Sequence, residues 1–263
     1  MKRQLTILLS LLLLVSLTAK GQVDSVGLRV DSLLNTMSIK AKVGQLFMIA
    51  AYSNKDEMHQ ASLEALVRDY GIGGIIVMQG GPGRQRHLIS RLQQASALPL
   101  LMGQDAEWGQ AMRLDSTYKF PTSPTVGALQ NLALVEKLGE ALAYESHQTG
   151  VHMSFSPVLD VNTNPKNPII GVRSFGSNPD EVSEKGTALI QGMERAGVLA
   201  CGKHFPGHGD TQSDSHKTLP IVDRTVDELK AVEWIPFKEA LQNGVASMMI
   251  AHLNIPLLEP TGK

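Results

Sequence analysis

Short runs of consecutive apolar residues alternate along this chain with longer stretches in which apolar positions recur every three or four residues. The first pattern predicts strands buried on both faces, the second amphipathic helices. Residues 43–50 read as a first strand. Residues 58–70 read as a helix, with Leu63, Leu66 and Val67 at helical spacing. The run Gly71-Ile72-Gly73-Gly74 ends that helix and opens a strand at 75–78. Four more strands are predicted at 98–102, 152–155, 198–201 and 245–250. Helices are predicted between them at 84–97, 132–148, 179–196 and 226–243, the last bent at Pro236.

Continuous apolar strands alternating with helices imply an α/β fold with a covered parallel sheet. Two architectures fit, a doubly wound sheet and a (β/α)8 barrel of the TIM type. No Gly-x-Gly-x-x-Gly follows the first strand, which removes the main support for a dinucleotide-binding sheet. Polar residues instead follow several strands: Asp105 and Glu107 after one, 157–160 after another, Lys203 and His204 after a third, His252 and Asn254 after a fourth. Chemistry spread over the C-terminal ends of many strands favours the barrel. Six strands are predicted where a closed barrel has eight, so the expectation is a barrel cut short after about six.

The first residues stand apart. Lys2 and Arg3 precede an apolar run from Leu5 to Leu17, and Ala19 and Gly21 are small residues at the −3 and −1 positions of a cleavage site. Residues 1–22 are expected to be a secretory signal peptide, because the apolar run is shorter than a bilayer span requires. No cysteine lies near the cleavage site, so no lipid anchor is expected. The mature protein, residues 23–263, is then one exported domain, periplasmic or extracellular, with no stable membrane span. With 43% hydrophobic residues and a formal net charge of −1, the chain has the balance of a globular domain, and nothing in it calls for nucleic acid. Its single cysteine, Cys201, excludes an internal disulfide.

The candidate chemistry is densest at residues 203–216, which hold three histidines, two aspartates and a lysine. That stretch reads as a loop rich in proton-handling groups on a rigid scaffold. In Asp214-Ser215-His216 a carboxylate two residues from an imidazole can fix its tautomer and raise its basicity. A metal site built from His208, Asp210, Asp214 and His216 is the competing reading, but closed zinc sites draw on regularly spaced Cys and His, so no metal and no cofactor is expected. Asp105, in Gly103-Gln104-Asp105-Ala106-Glu107-Trp108-Gly109, can accept two hydroxyls at once. Trp108 can wall a sugar. Arg173 offers a fixed fork of donors suited to a polyol. Asp160 reads as a structural carboxylate at a strand end.

The stretch from Lys203 to His216, continuing into Lys217-Thr218-Leu219-Pro220, resembles the signature of glycoside hydrolase family 3, and within it the bacterial β-N-acetylhexosaminidase branch. The segment from Pro157 to Asp160 and the Arg173-Ser174-Phe175 segment agree in type and order. The resemblance covers roughly residues 28–263. It departs from the usual Asp-x-Glu-Gly-Gly-Arg pattern where Trp108 and Gln110 stand. It implies that Asp105, Arg173, Lys203 and His204 bind the sugar, with Arg113 a weaker candidate. It also implies that Asp214 and His216 form the acid/base dyad of a retaining glycosidase. The implied substrate is a glycan ending in β-linked N-acetylglucosamine, such as a peptidoglycan fragment. The family's nucleophile is an aspartate on a later strand, expected beyond Lys263. A family 3 β-glucosidase, a phosphorylase and a sugar-binding remnant without turnover are the alternatives.

Overall fold

The computed structural model describes residues 25–213 and 219–260. The expected leader and the Asp214–His216 pair lie outside the described residues. Residues up to Val43 cluster as a unit of their own. Helix α1 (Ser25–Thr36) belongs to it and buries none of its residues. Helix α2 (Ile39–Gly44) runs up to its boundary.

From Gly44 onward a second unit is built on six parallel strands: β1 (Met48–Ala51), β2 (Gly74–Val77), β3 (Leu101–Gln104), β4 (Met153–Ser154), β5 (Leu199–Phe205) and β6 (Ser247–Ile250). Each strand pairs with its neighbours in sequence, in the order β1-β2-β3-β4-β5-β6. The register runs Ile49↔Ile75, Ile75↔Met102, Gly103↔Met153, Ser154↔Ala200 and Cys201↔Ser247. A doubly wound sheet reverses its strand order at a switch point; this one advances in a single direction, as a barrel does. The sheet is a curled part-barrel of the (β/α)8 type, as the strand pattern predicted.

Local chemistry sets the helices. In α3 (Glu57–Tyr70) Asp56 caps the start by accepting from His59 N, and Gly71 ends the helix in the left-handed region. Helix α4 (Pro82–Ala95) opens on Pro82, whose fixed φ suits the first turn. A short helix α5 (Ser123–Gly127) precedes α6 (Leu132–Thr149), capped by Asn131. Asn178 caps α7 (Pro179–Arg195), with Asp180 and Glu181 in its first turn complementing the helix dipole. A capping box, Thr225 with Glu228, starts α8 (Val226–Ala231), and α9 (Trp234–Gln242) follows.

Two apolar clusters glue these helices to the sheet. Ile75, Val77 and Met102 pack with Leu63, Leu88 and Leu92 from α3 and α4. Leu159 and Ala200 pack with Leu142, Leu189, Met193 and Phe237 from α6, α7 and α9. Each fully buried aliphatic side chain contributes roughly 1.5–3 kcal/mol. Helices α6 and α7 approach closely because Gly139 and Gly192 face each other's backbone. A Cβ on Gly192 would lie 2.0 Å from the Glu136 carbonyl oxygen. Among the described residues no helix is long and apolar enough to cross a membrane.

Several predicted boundaries move. The first strand begins at Met48 rather than residue 43, because Val43 and Gly44 close α2 and the Gly44 carbonyl accepts from both Phe47 N and Gly73 N. The third begins at Leu101, since Leu100 N is taken by the Gln93 side chain before the ladder starts. The helix expected over 226–243 is two helices: it breaks at Val232 and Glu233, and Pro236 sits in the first turn of α9, where a missing N–H costs little. Most consequentially, β5 runs on to Phe205. Lys203 and His204 are therefore strand residues, held by Lys203 N donating to Pro157 O and Leu159 N to Lys203 O, and the loop starts only at Pro206.

Candidate active site

Asp105 and Glu107 leave the end of β3, Arg113 follows a 3-10 turn at Gln110–Met112, and Arg173 ends a second such turn at Gly171–Arg173. Lys203 and His204 come from the end of β5. These six residues line one cavity of about 420 Å³, with His208, Ile169, Met249 and His252 also on its wall. All lie on the side of the sheet reached by the C-terminal strand ends, where barrel enzymes place their chemistry.

Lys203 is the hub. Its side chain is 1% exposed, and Nζ reaches Asp105 Oδ1 at 2.8 Å and Glu107 Oε1 at 2.7 Å. Arg113 Nη2 takes the other oxygen of Asp105 at 3.0 Å. Arg173 grips Glu107 with two prongs, Nη2 to Oε1 at 2.7 Å and Nε to Oε2 at 3.0 Å. Burial works against the charge of Glu107, but Lys203 and Arg173 outweigh it and hold the carboxyl down to about 2. Asp105 follows the same logic: burial opposes its charge, and Lys203 with Arg113 keeps it below the usual carboxylate range. Each Asp105 oxygen is bonded to one cation and retains acceptor capacity for a hydroxyl.

Behind this cluster stands Asp160, fully buried. It accepts from His204 N at 3.2 Å and from His208 N at 2.7 Å, and bonds His204 Nδ1 at 2.6 Å. Burial raises its acidity threshold, and His204 with these N–H donors brings it back below the ordinary value. The other ring nitrogen, His204 Nε2, lies 3.2 Å from Arg173 Nη2. A guanidinium has only protons to offer, so Nε2 is the acceptor and the ring proton sits on Nδ1, directed at Asp160. His208, 2% exposed as a whole residue, is driven toward its neutral form by burial.

The sequence-predicted binding residues Asp105, Arg113, Arg173, Lys203 and His204 thus converge on one cavity. Trp108 is half-buried and is not among the described residues lining this cavity. Asp160, read from the sequence as a structural carboxylate, is buried and bonded to His204 and to the His208 N–H. The central role of Glu107 was missed. Its signal was charge balance: three cations converge on the site, and Asp105 alone does not balance them. Among the described residues no group of three His, Cys, Asp or Glu side chains is arranged to hold a metal ion.

A part-barrel with a charged, polyol-sized cavity at its strand ends narrows the class, and comparison with known proteins fixes it. Residues 38–262 match the glycosyl hydrolase family 3 N-terminal domain, and the chain belongs to that family. It is 37% identical over 211 residues to beta-hexosaminidase A of Pseudoalteromonas piscicida, covering 75% of this chain and 35% of that protein. Among solved structures it resembles a family 3 β-N-acetylglucosaminidase from Paenibacillus sp. at 36% identity and a TM-score of 0.77, covering 85% of this chain and 44% of that one. It also resembles the β-glucoside phosphorylase BglX bound to 2FGlc, at 26% identity and a TM-score of 0.82, over 89% of this chain and 42% of that one. The chain spans about a third to three fifths of the length of the curated relatives it matches.

Proposed function

We propose that this protein is a glycosidase that removes non-reducing terminal β-linked N-acetylglucosamine from glycans such as peptidoglycan fragments, by a retaining double displacement. The observation that carries the reading is the convergence of Asp105, Arg173, Lys203 and His204 on one cavity, where each Asp105 oxygen keeps acceptor capacity for a hydroxyl. The names of the related hexosaminidase and N-acetylglucosaminidase point the same way. Asp105, Arg173, Lys203 and His204 bind the terminal sugar, and Arg113 orients Asp105.

The acid/base is assigned to His216, with Asp214 stabilising its imidazolium, on the motif alone. An imidazole with an unperturbed pKa near 6.5 gives and takes a proton close to neutral pH. Neither described carboxylate at the cavity suits the nucleophile, because Asp105 and Glu107 are each held by two cations. Residues 1–22 support export of the protein, and sequencing the mature N-terminus from the native source tests this, with a start near residue 22 expected.

Rates on 4-nitrophenyl β-N-acetylglucosaminide and the matching β-glucoside test the specificity, with preference for the former by roughly tenfold or more. An equal or reversed preference overturns it. Proton NMR of the first-formed product tests the retaining course: the β-anomer is expected, and the α-anomer refutes it. Phosphorolysis is the second reading, supported by the likeness to the phosphorylase and by three cations facing two carboxylates at the cavity. A rate that rises with added phosphate, with sugar 1-phosphate as product, would establish it.

A further inference from the structure

Two backbone segments meet beside the cavity. One follows β4 and ends on Arg173. The other follows β5 and continues from Thr211 into Asp214 and His216. Asn167 cross-links them. Its side-chain nitrogen donates to His208 O at 2.8 Å, Gly209 O at 3.1 Å and Thr211 Oγ1 at 3.2 Å. Its side-chain oxygen accepts from Ile169 N and Ile170 N, both at 2.8 Å, at the entrance to the turn that carries Arg173. At 7% exposure, water does not substitute for these bonds. The segments touch backbone to backbone as well. A Cβ on Gly209 would lie 1.7 Å from the Val161 carbonyl oxygen, and Asn164 adds bonds to Asp210 O and Thr211 O.

The bonds continue into the cavity wall. Thr211 Oγ1 bonds His208 Nδ1 at 2.5 Å and donates to His208 O at 3.0 Å. On the far side Arg224 pairs with Asp210 at 2.9 Å, joining the start of the segment to the chain beyond it. A side chain needed only to fill space would not require donors and acceptors divided so cleanly between two segments more than 40 residues apart in sequence.

We propose that Asn167 is a positioning residue that holds sugar recognition and proton transfer in one frame. Its amide protons fix the root of the segment leading to Asp214 and His216, and its carbonyl fixes the turn bearing Arg173. The coupling to proton transfer rests on the assignment of His216 as the acid/base.

Asn167→Asp separates the two roles. It keeps the acceptor oxygen for Ile169 and Ile170, removes both amide protons and sets a carboxylate against two carbonyl oxygens. In the protein carrying this change, amide exchange over residues 207–213 is expected to accelerate roughly tenfold or more. Turnover of substrates with poor leaving groups is expected to fall about tenfold relative to activated aryl glycosides, with KM for the latter nearly unchanged. Unchanged exchange overturns the proposal, as does faster exchange with an unchanged leaving-group ratio. If Asn167→Asp does not fold, Thr211→Val removes the hydroxyl's bonds to Asn167 and His208 and carries the same test, with Thr211→Ser restoring them. His216→Ala measured alongside keeps the two readings apart. Equal loss on both substrate classes there refutes the acid/base assignment, and the exchange result then decides whether Asn167 holds the segment.

Discussion

Glu107 offers the sharpest test of the electrostatic picture. Its side chain is 2% exposed and shared between Lys203 and Arg173. Replacing it with Gln preserves the shape but leaves Arg173 without its carboxylate and Lys203 with Asp105 alone. The carboxyl is held at about 2 rather than the ordinary 4.5. At about 1.4 kcal/mol per pH unit, that difference corresponds to roughly 3 kcal/mol of native-state stability. The folded-state value is depressed, so this contribution is fully present above pH 4.5 and is lost as pH falls through about 2. Urea unfolding of wild type and Glu107→Gln should therefore differ by about 3 kcal/mol at pH 7 and by about half that at pH 3. The accompanying loss in Tm at pH 7 is roughly 6–12 °C for a chain of this size. A stability gap that stays constant from pH 7 to pH 3 would refute the reasoning and assign the loss to packing instead of charge.

Asp105→Asn weakens the grip of Lys203 and Arg113 and changes an acceptor facing the cavity. Its kcat/KM on the aryl N-acetylglucosaminide is expected to fall about 30-fold or more, with folding retained by circular dichroism. Gly192→Ala drives a methyl against the Glu136 carbonyl at 2.0 Å, a contact the two helix backbones must part to relieve. Denaturant titration should show a loss of about 1–3 kcal/mol with the site chemistry intact. Thr225→Ala dissolves the capping box with Glu228 and is expected to cost about 1 kcal/mol in the same assay.

Much of the barrel was legible because strands buried on both faces and amphipathic helices impose periods of their own on the sequence. Strand ends were less legible. Nothing in Lys203-His204-Phe205 marks it as strand; its ladder depends on Pro157 and Leu159, more than 40 residues earlier. The helix over 226–243 carried a proline that predicted a bend, but the chain breaks ahead of it because a proline is tolerated in a helix's first turn.

Residue types and the family resemblance were enough to single out Asp105, Arg173, Lys203 and His204 as candidates, and the structure brings all four to one cavity. They did not show which side chains hold one another. Lys203 meets Asp105 across 98 positions, and Arg173 meets Glu107 across 66. Those distances close only when the sheet curls, and curling is a property of strand order and register that no local segment encodes. The same closure turned Glu107 from a neighbour of Asp105 into the shared counter-ion of two cations, buried Asp160 against His204, and set Asn167 between two segments. The sequence by itself thus determined the strand–helix alternation and the chemical inventory of the cavity. Which charges are paired, which histidine nitrogen carries the proton and which loops are tied together were decided by the tertiary structure, because pairing energies depend on distance and burial, and both are set by the fold.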